Sequence, residues 1–206
     1  MQIGGLVLCG GESRRMGTPK AWLCFQGERM LQRVVRILQE VVDPLAVAAA
    51  PEQDVPPLPL DVMVARDACS GRGPLQGLAT GLAALPERVE AAFVCSCDAP
   101  FLQPAFVQHL VGLLEAYDAV VPQEGDFYHP LTAVYRTSIL PEIEALLREN
   151  RRRMIALFDR CRVRTVGVET LRAADPDLLS LQNMNTPEDY QAALDRLEKG
   201  GDMGSL

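Results

Sequence analysis

The sequence predicts an α/β fold in which a mostly parallel sheet carries helices on both faces. Short apolar runs alternate along the chain with longer segments of helical periodicity, which is the pattern of repeated strand-helix units. At 206 residues the chain fits one large domain, because single hydrophobic cores stop growing only beyond about 250 residues. Hydrophobic residues make up 48% of the chain, as in a packed globular protein. We therefore expect a single three-layer domain over residues 1–199.

The expected strands are short, mostly apolar runs. They lie near residues 2–9, 44–49, 61–65, 91–97, 118–122, 131–136 and 162–168, with helices between them. Apolar residues from Leu31 to Val42 recur at three- and four-residue intervals, and the stretch from Phe106 to Leu114 has the same pattern. Both patterns predict a helix with one buried stripe. Four prolines between Pro51 and Pro59 predict an extended surface connector with no chemical role.

The C-terminal segment has the signals of a helix start. Thr186 is expected to cap the helix, Pro187 to occupy its first position, and Glu188 and Asp189 to lie in the first turn, where acidic side chains are favoured. We expect this helix to end near Lys199 and residues 200–206 to form a disordered tail.

Charge and cysteine content exclude several classes of protein. A net charge of −7 argues against nucleic-acid binding, which needs a basic face. The six cysteines lack the paired spacings of a zinc ribbon, so we expect reduced thiols in a cytoplasmic protein, with Cys95 and Cys97 as small buried hydrophobic residues. The apolar run Ile3 to Cys9 has no basic leader and breaks at Gly10, which predicts neither a signal peptide nor a membrane span.

The strongest functional signal follows the first strand. Gly10 and Gly11 are followed by a cluster of cations that includes Arg15 and Lys20. Backbone amides at the two glycines can approach phosphate oxygens closely, and the two cations supply the opposite charge. The spacing matches neither the P-loop pattern G-x-x-x-x-G-K-[ST] nor the dinucleotide pattern G-x-G-x-x-G. The sequence therefore predicts a different kind of phosphate loop.

Two aspartates also follow predicted strands. Asp98 ends the run 91–97 and Asp67 ends the run 61–65, so both should lie at the carboxyl edge of the sheet, where open α/β sheets build their sites. Magnesium needs only one or two carboxylates besides phosphate oxygens and water, which makes Asp98 a candidate ligand; a turn-forming role is its alternative. Gly77 and Gly81 share one face of a predicted helix, which a strand or a nucleotide base must approach closely.

Six segments resemble the molybdenum cofactor guanylyltransferase family of nucleotidyltransferases. The loop Leu8–Lys20 resembles the family's L-A-G-G-x-S-x-R-M-G-x-x-K, Gly71–Gly77 its P-G-P-L-x-G turn, and Cys97–Phe101 its C-D-x-P metal segment. Further similar segments are His129–Tyr135, Arg152–Phe158 and Asn183–Asp189. The resemblance spans residues 3 to about 195 and implies a Rossmann-like nucleotidyltransferase domain.

The resemblance implies transfer of GMP from GTP to molybdopterin, with release of pyrophosphate. It implies that Leu8, Cys9 and Gly10 border the nucleotide, that Lys20 contacts its phosphates, Asp67 its nucleoside, and Asp98 the Mg²⁺ ion. Gly11 is expected beside them, and Arg15, Lys20 and Asp98 are the catalytic candidates. For the acceptor, the candidates are His129, Arg152, Asn183 and Asn185, each with an ordinary structural role as the alternative. His109 is expected to be structural. Transient contacts with cofactor-delivery proteins or molybdoenzymes are also expected.

The chain departs from the family at one point. The family usually has asparagine in an N-A-N segment after its second strand, whereas this chain has Ala48, Ala49 and Ala50, so one polar contact to the nucleotide is lost. A cytidylyl- or sugar-phosphate nucleotidyltransferase therefore stays as an alternative, although Gly11 differs from the alanine in the cytidylyl family's L-A-A-G loop. A non-catalytic nucleotide-binding regulator of the same fold is the second alternative.

Overall fold

The computed structural model describes residues 1–10 and 18–201, with side chains as far as Leu197. The strands are β1 (Ile3–Leu8), β2 (Cys24–Phe25), β3 (Glu28–Arg29), β4 (Leu45–Ala49), β5 (Met63–Arg66), β6 (Ala91–Ser96), β7 (Ala119–Glu124), β8 (Phe127–Tyr128), β9 (Thr132–Arg136) and β10 (Val163–Gly167). The α-helices are α1 (Met30–Gln39), α2 (Pro74–Ala84), α3 (Pro104–Gly112), α4 (Leu140–Arg148), α5 (Val168–Leu171) and α6 (Pro187–Gly201). Short 3₁₀ helices lie at Lys20–Trp22, Thr137–Ile139, Met154–Asp159 and Leu179–Leu181.

The main sheet has the strand order β10-β7-β9-β6-β1-β4-β5, with β8 paired to β7. β1 pairs in parallel with β4 and β6, as do β4 with β5 and β7 with β10. β9 is antiparallel to both neighbours. The expected α/β fold with a mostly parallel sheet is confirmed. The expectation of a helix between every pair of strands is wrong between β7 and β9, because the connection from Glu124 to Thr132 is too short for a crossover helix.

Three strands of two residues were not predicted from the sequence. β2 and β3 form a hairpin whose two turn residues, Gln26 and Gly27, both have positive φ, at 51° and 80°. This turn conformation matches the twist of paired strands, but glutamine seldom adopts it. The usual Asn-Gly or Asp-Gly signal is therefore missing, and a two-residue strand is too short to show a period of its own.

The sheet is covered by two core layers, one on each face. Along β1 the side chains alternate, so that Leu6 and Leu8 lie in one layer while Val7 and Cys9 lie in the other. Helices α1 and α3 cover the second face, and α2 and α4 cover the first. Within the described residues, no helix combines the length and apolar character needed to cross a bilayer.

The predicted start of the last helix is confirmed. The Asp189 amide donates a hydrogen bond of 3.1 Å to the Thr186 hydroxyl, and the Thr186 amide donates one of 2.9 Å to the Asp189 carboxylate. This reciprocal pair is a capping box. The helix continues to Gly201, two residues beyond its expected end. The rest of the expected tail, residues 202–206, lies outside the described residues.

Two glycines let α2 pack closely on β1. A Cβ atom at Gly81 would lie 2.1 Å from Leu6 Cδ1, and one at Gly77 would lie 3.3 Å from Leu8 Cδ2. The close neighbour of this helix face is therefore a strand, which decides between the two alternatives left open by the sequence. The packing fixes α2 against the strand that leads into the site.

We expect Gly81→Ala to destabilise the protein by about 1–2 kcal/mol, because the overpacking cost exceeds the gain in helix propensity. Gly77→Ala should have a smaller effect, since its nearest contact is longer. Urea unfolding measures both. Gly112→Ala in α3 is the matched control, because nothing lies within 4 Å of its Cβ position. Equal free energies of unfolding for Gly81→Ala and Gly112→Ala would contradict this packing.

Candidate active site

The carboxyl ends of β1 and β6 form one side of a cavity of about 200 Å³. Leu8 pairs with Ser96 in the parallel register, and the Cys97 amide donates a hydrogen bond of 3.1 Å to the Leu8 carbonyl. Gly10 lies two residues after Leu8 and Asp98 two residues after Ser96, and both line the cavity. The sheet therefore brings the start of the predicted phosphate loop and the candidate metal ligand to one place.

Asp98 is a buried carboxylate with two polar partners. The residue is only 4% exposed. Its carboxylate accepts a hydrogen bond from the Ser96 hydroxyl and forms an ion pair with Lys20. Lys20 also donates a 2.9 Å hydrogen bond to Asn185 Oδ1. The Met184 amide donates a 3.0 Å hydrogen bond to the Asp98 carbonyl. A buried carboxylate needs such compensation, and this network ties the C-terminal segment to the end of β6.

Asp67 lies at the same edge of the sheet, beside the cavity rather than in its lining. Its amide donates a 2.9 Å hydrogen bond to the Ala49 carbonyl, and a Cβ atom at Gly10 would lie 3.9 Å from Asp67 Oδ2. Burial raises the pKa of Asp67 above its usual value and outweighs a side-chain hydrogen bond with Thr80. Among the described residues, its Oδ1 atom is buried without a hydrogen-bond partner. A polar atom in this state is suited to a ligand donor.

Gln53 joins the ends of β1 and β4. Its side-chain nitrogen donates to the Cys9 carbonyl at 2.8 Å and to Cys9 Sγ at 3.3 Å, while its side-chain oxygen accepts from the Ala50 amide at 3.2 Å. The pKa of Cys9 is lowered, chiefly by a hydrogen bond with the Cys97 thiol and less by Gln53, and burial opposes both. The proline-rich connector therefore holds the start of the glycine loop, a structural contact that the sequence did not predict.

A second cavity of about 580 Å³ adjoins the first, and both are lined by Leu131 and Asn183. His129 lies in its wall, edge-on to Phe127, with Nε2 3.8 Å from Glu124 Oε2. Burial lowers the pKa of His129 and outweighs the attraction of Glu124. Within the described part of the chain, His129 Nε2 and Asn183 Oδ1 are buried without hydrogen-bond partners. The larger cavity thus offers polar groups to a second ligand.

Arg152 lies at the wall of this larger cavity. Its guanidinium donates to Asn150 Oδ1 at 2.8 Å and to the Gly71 carbonyl at 3.3 Å. Gly71 and Gly73 have positive φ values of 72° and 75°, which glycine adopts without strain. The glycine turn before α2 therefore meets the arginine run, although the two are far apart in sequence.

The structure gathers most of the residues expected at the site. Those that line the smaller cavity are Leu8, Cys9, Gly10, Lys20, Asp98, Asn183 and Asn185. Those that line the larger cavity are His129, Arg152 and Asn183. His109 lies in the last turn of α3 and lines neither. Gly11 and Arg15 lie outside the described residues. No cluster of three or more His, Cys, Asp or Glu side chains suited to a metal occurs in the described ranges.

Sequence reasoning missed Gln53, Ser96 and Leu131. Ser96 had a usable signal, because residues two apart in a strand share a face, which puts its hydroxyl on the side of Asp98. Leu131 lies within the family-like segment His129–Tyr135 but has no chemical group that singles it out, and Gln53 had no signal. Each lies in an irregular segment whose path across the sheet edge is set by tertiary packing, not by a local pattern.

A mostly parallel sheet carries a buried carboxylate and a lysine at its carboxyl edge, with a second cavity beside them, and the family comparison places the chain among the nucleotidyltransferases. The family model of the MobA-like NTP transferase domain matches residues 5–164. A solved structure, molybdopterin-guanine dinucleotide biosynthesis protein A from Archaeoglobus fulgidus, superposes with a TM-score of 0.78 at 25% identity, over 97% of this chain and 100% of that one. A 4-diphosphocytidyl-2C-methyl-D-erythritol synthase from Anaerococcus prevotii shares the fold, with a TM-score of 0.66 at 14% identity, over 96% of each chain.

Relatives with assigned activities indicate which family of nucleotidyltransferases the chain belongs to. The molybdenum cofactor guanylyltransferase of Desulfosudis oleivorans is 36% identical over 96% of this chain and 97% of that protein. The probable molybdenum cofactor guanylyltransferase of Mycobacterium avium is 37% identical over 93% of this chain and 95% of that protein. The chain belongs to the molybdenum cofactor guanylyltransferase family, as its motifs had indicated.

We predict that the stability of the protein depends on pH through His129. Its folded pKa is lowered, while the unfolded pKa is about 6.5. Below that pH the unfolded chain binds a proton that the folded site disfavours, so the free energy of unfolding falls as pH falls. Urea unfolding of wild type and His129→Gln from pH 8 to 5 isolates this effect, since other groups cancel in the difference. A difference that is constant with pH, or that favours wild type more at low pH, would be inconsistent with the burial.

Proposed function

We propose that the protein transfers GMP from GTP to molybdopterin, forming molybdopterin guanine dinucleotide and releasing pyrophosphate. One observation carries this proposal: the Asp98–Lys20 pair shares a cavity with Gly10, and that cavity adjoins a larger one through Asn183. The smaller cavity is suited to the reacting phosphates and the larger one to the acceptor. The names of the family members cited above support the identity of both substrates.

The nucleotide phosphates would lie between the end of β1 and Lys20. Backbone amides of Gly10 and Gly11 are suited to donate to phosphate oxygens, and Lys20 supplies positive charge. Lys20 is held beside the cavity by Asp98 and Asn185, so its positive charge lies close to the proposed phosphate position before the nucleotide arrives. We assign Arg15 to the same phosphates from the sequence alone.

The donor set at Asp98 is suited to Mg²⁺. A carboxylate in a cavity that also admits phosphate oxygens and water supplies the oxygen ligands that this ion prefers. Bound there, Mg²⁺ would act as a Lewis acid that stabilises charge on the phosphates. Asp98 would hold the ion, Ser96 would orient the carboxylate through its hydroxyl, and Lys20 would move from the carboxylate towards phosphate.

The reaction needs no dedicated base. A phosphate monoester has a second pKa of about 6 and is largely a dianion at neutral pH, so the acceptor phosphate is already nucleophilic. The protein's task is to hold it in line with the α-phosphorus. Asn183 borders both cavities and Asn185 contacts Lys20, so both are placed to position the acceptor at the junction. Arg152 and His129 would contact it deeper in the larger cavity.

Guanine specificity is the finer part of the proposal. The chain lacks the family asparagine at residues 48–50, yet Asp67 offers a buried acceptor atom beside Gly10. We assign Asp67 to the nucleoside. A cytidylyl- or sugar-phosphate transferase shares this fold, and a non-catalytic regulator is the remaining alternative. Against the regulator stands the buried carboxylate at the phosphate cavity, for which simple nucleotide sensing has no use.

We also propose that residues 1–199 form one catalytic domain that works in the cytoplasm. In that reducing compartment the cysteines would be free thiols. The surface is acidic overall, with a net charge of −7, and we propose no nucleic-acid or membrane partner. Transient contacts with cofactor-delivery proteins or molybdoenzymes would supply the acceptor and remove the product.

We expect Asp98→Asn to lower the rate of pyrophosphate release with GTP, Mg²⁺ and molybdopterin by about 100-fold or more, because the carboxylate that would hold Mg²⁺ at the phosphates is lost. Glu144→Gln, which removes an exposed carboxylate from α4, is the matched control. CTP, ATP and UTP are compared with GTP in the same assay. Full activity of Asp98→Asn would refute the role of this carboxylate. Faster release with another nucleotide would refute the substrate assignment, and GTP binding without release would favour the regulator.

We expect Arg152→Met to raise the KM for molybdopterin by about 10-fold, because one charge-assisted contact to the acceptor is lost. The KM for GTP should change little. Steady-state kinetics with each substrate varied in turn separates the two effects. Arg148→Met at the end of α4, also exposed, is the control. A larger change in the KM for GTP than for molybdopterin would place Arg152 at the wrong substrate.

A further inference from the structure

Cys9 and Cys97 are neighbours across two parallel strands. They directly follow the register pair Leu8 and Ser96, and the ladder continues into the Cys97 amide. Neighbouring strands are about 5 Å apart, which lies within the range of about 4.4–6.8 Å that joins the Cα atoms of disulfide-bonded cysteines. Both side chains belong to the same core layer and line the same cavity. The Cα spacing is therefore compatible with a disulfide between the two cysteines.

This dithiol lies in the wall of the smaller cavity. Each cysteine is 5% exposed, and both line the cavity beside Gly10 and Asp98. A small molecule that enters the cavity can reach them, whereas a bound nucleotide would cover them. Cys95, two residues earlier on β6, is fully buried and lines neither the smaller nor the larger cavity. Access from the smaller cavity thus distinguishes Cys9 and Cys97 from the buried thiol of Cys95.

We propose that Cys9 and Cys97 form a reversible disulfide when the protein meets a peroxide, and that this bond closes the cavity to nucleotide. The site and its chemistry are independent of the enzyme's substrate; only the loss of activity rests on the proposed function. Gln53 donates a hydrogen bond to Cys9 Sγ, which favours negative charge on that sulfur. Cys9 is therefore the attacking residue and Cys97 the resolving one.

The chemistry balances with a peroxide as the two-electron oxidant. The Cys9 thiolate attacks one peroxide oxygen, the O–O bond breaks, and sulfenic acid forms while the departing hydroxide takes up a proton as water. The Cys97 sulfur then attacks the Cys9 sulfur, the S–O bond breaks, and a second water leaves with the thiol proton. A dithiol reductant reverses the bond by exchange. Because Gly10 and Asp98 directly follow the two cysteines, drawing the sulfurs together displaces both groups that border the phosphate cavity.

The test uses the full chain carrying Cys24→Ser, Cys69→Ser and Cys161→Ser, so that the more accessible thiols cannot react. Hydrogen peroxide is added with and without Mg²⁺ and GTP, and peptides are mapped by mass spectrometry. We expect a Cys9–Cys97 linked peptide, slower linkage with GTP, and a fall of about 10-fold or more in pyrophosphate release that dithiothreitol restores. Adding Cys9→Ala, the family's residue at this position, should abolish linkage, and that variant should keep its own untreated activity through the same treatment.

Two outcomes would overturn the proposal. One is a peptide map in which Cys97 or Cys9 is oxidised to sulfinic acid without a link between them. The other is equal, dithiothreitol-reversible inactivation of the variants with and without Cys9. If no nucleotide gives pyrophosphate release at all, the proposed function fails, while the peptide map still decides whether the dithiol closes.

Discussion

The parallel pairing of β1 with β6 is the constraint on which the site depends. Its register sets Leu8 against Ser96, and therefore brings Gly10 and Asp98 to one cavity. A slip of one residue would turn every side chain on β6 to the opposite face. That slip is opposed by two separate core layers, because β1 buries alternate side chains in each. Core packing on both faces thus fixes the geometry at the sheet edge.

The Asp98–Lys20 pair extends that constraint to distant parts of the chain. A buried carboxylate requires compensation, and here it comes from a lysine after the phosphate loop, a serine on the same strand and an amide of the C-terminal segment. Asn185 completes the link by accepting from Lys20. The segment that carries Asn183 is thereby held where the two cavities meet. One buried charge organises both the nucleotide side and the acceptor side.

The sequence predicted what repeats locally and what sits at strand ends. Seven apolar runs gave the main strands, and Asp98 and Asp67 were located because parallel strands end at one edge. The antiparallel direction of β9 was not predicted, because a short connection rather than a residue pattern sets it. The place of Gln53 at the site was not predicted for a related reason. Its contacts with Cys9 and Ala50 arise only after the connector folds over the sheet edge. The Cys9–Cys97 pairing likewise needs the register, which apolar runs alone do not specify.

The central claim is that one cation at Asp98 joins this carboxylate to the phosphates of GTP. The most direct measurement is a crystal structure with Mn²⁺ and a non-hydrolysable GTP analogue, in which anomalous scattering locates the cation. We expect a peak within about 2.3 Å of an Asp98 oxygen and of a phosphate oxygen, with the analogue's phosphates over Gly10. A cation bound to the analogue but remote from Asp98, or an analogue bound outside the smaller cavity, would contradict it.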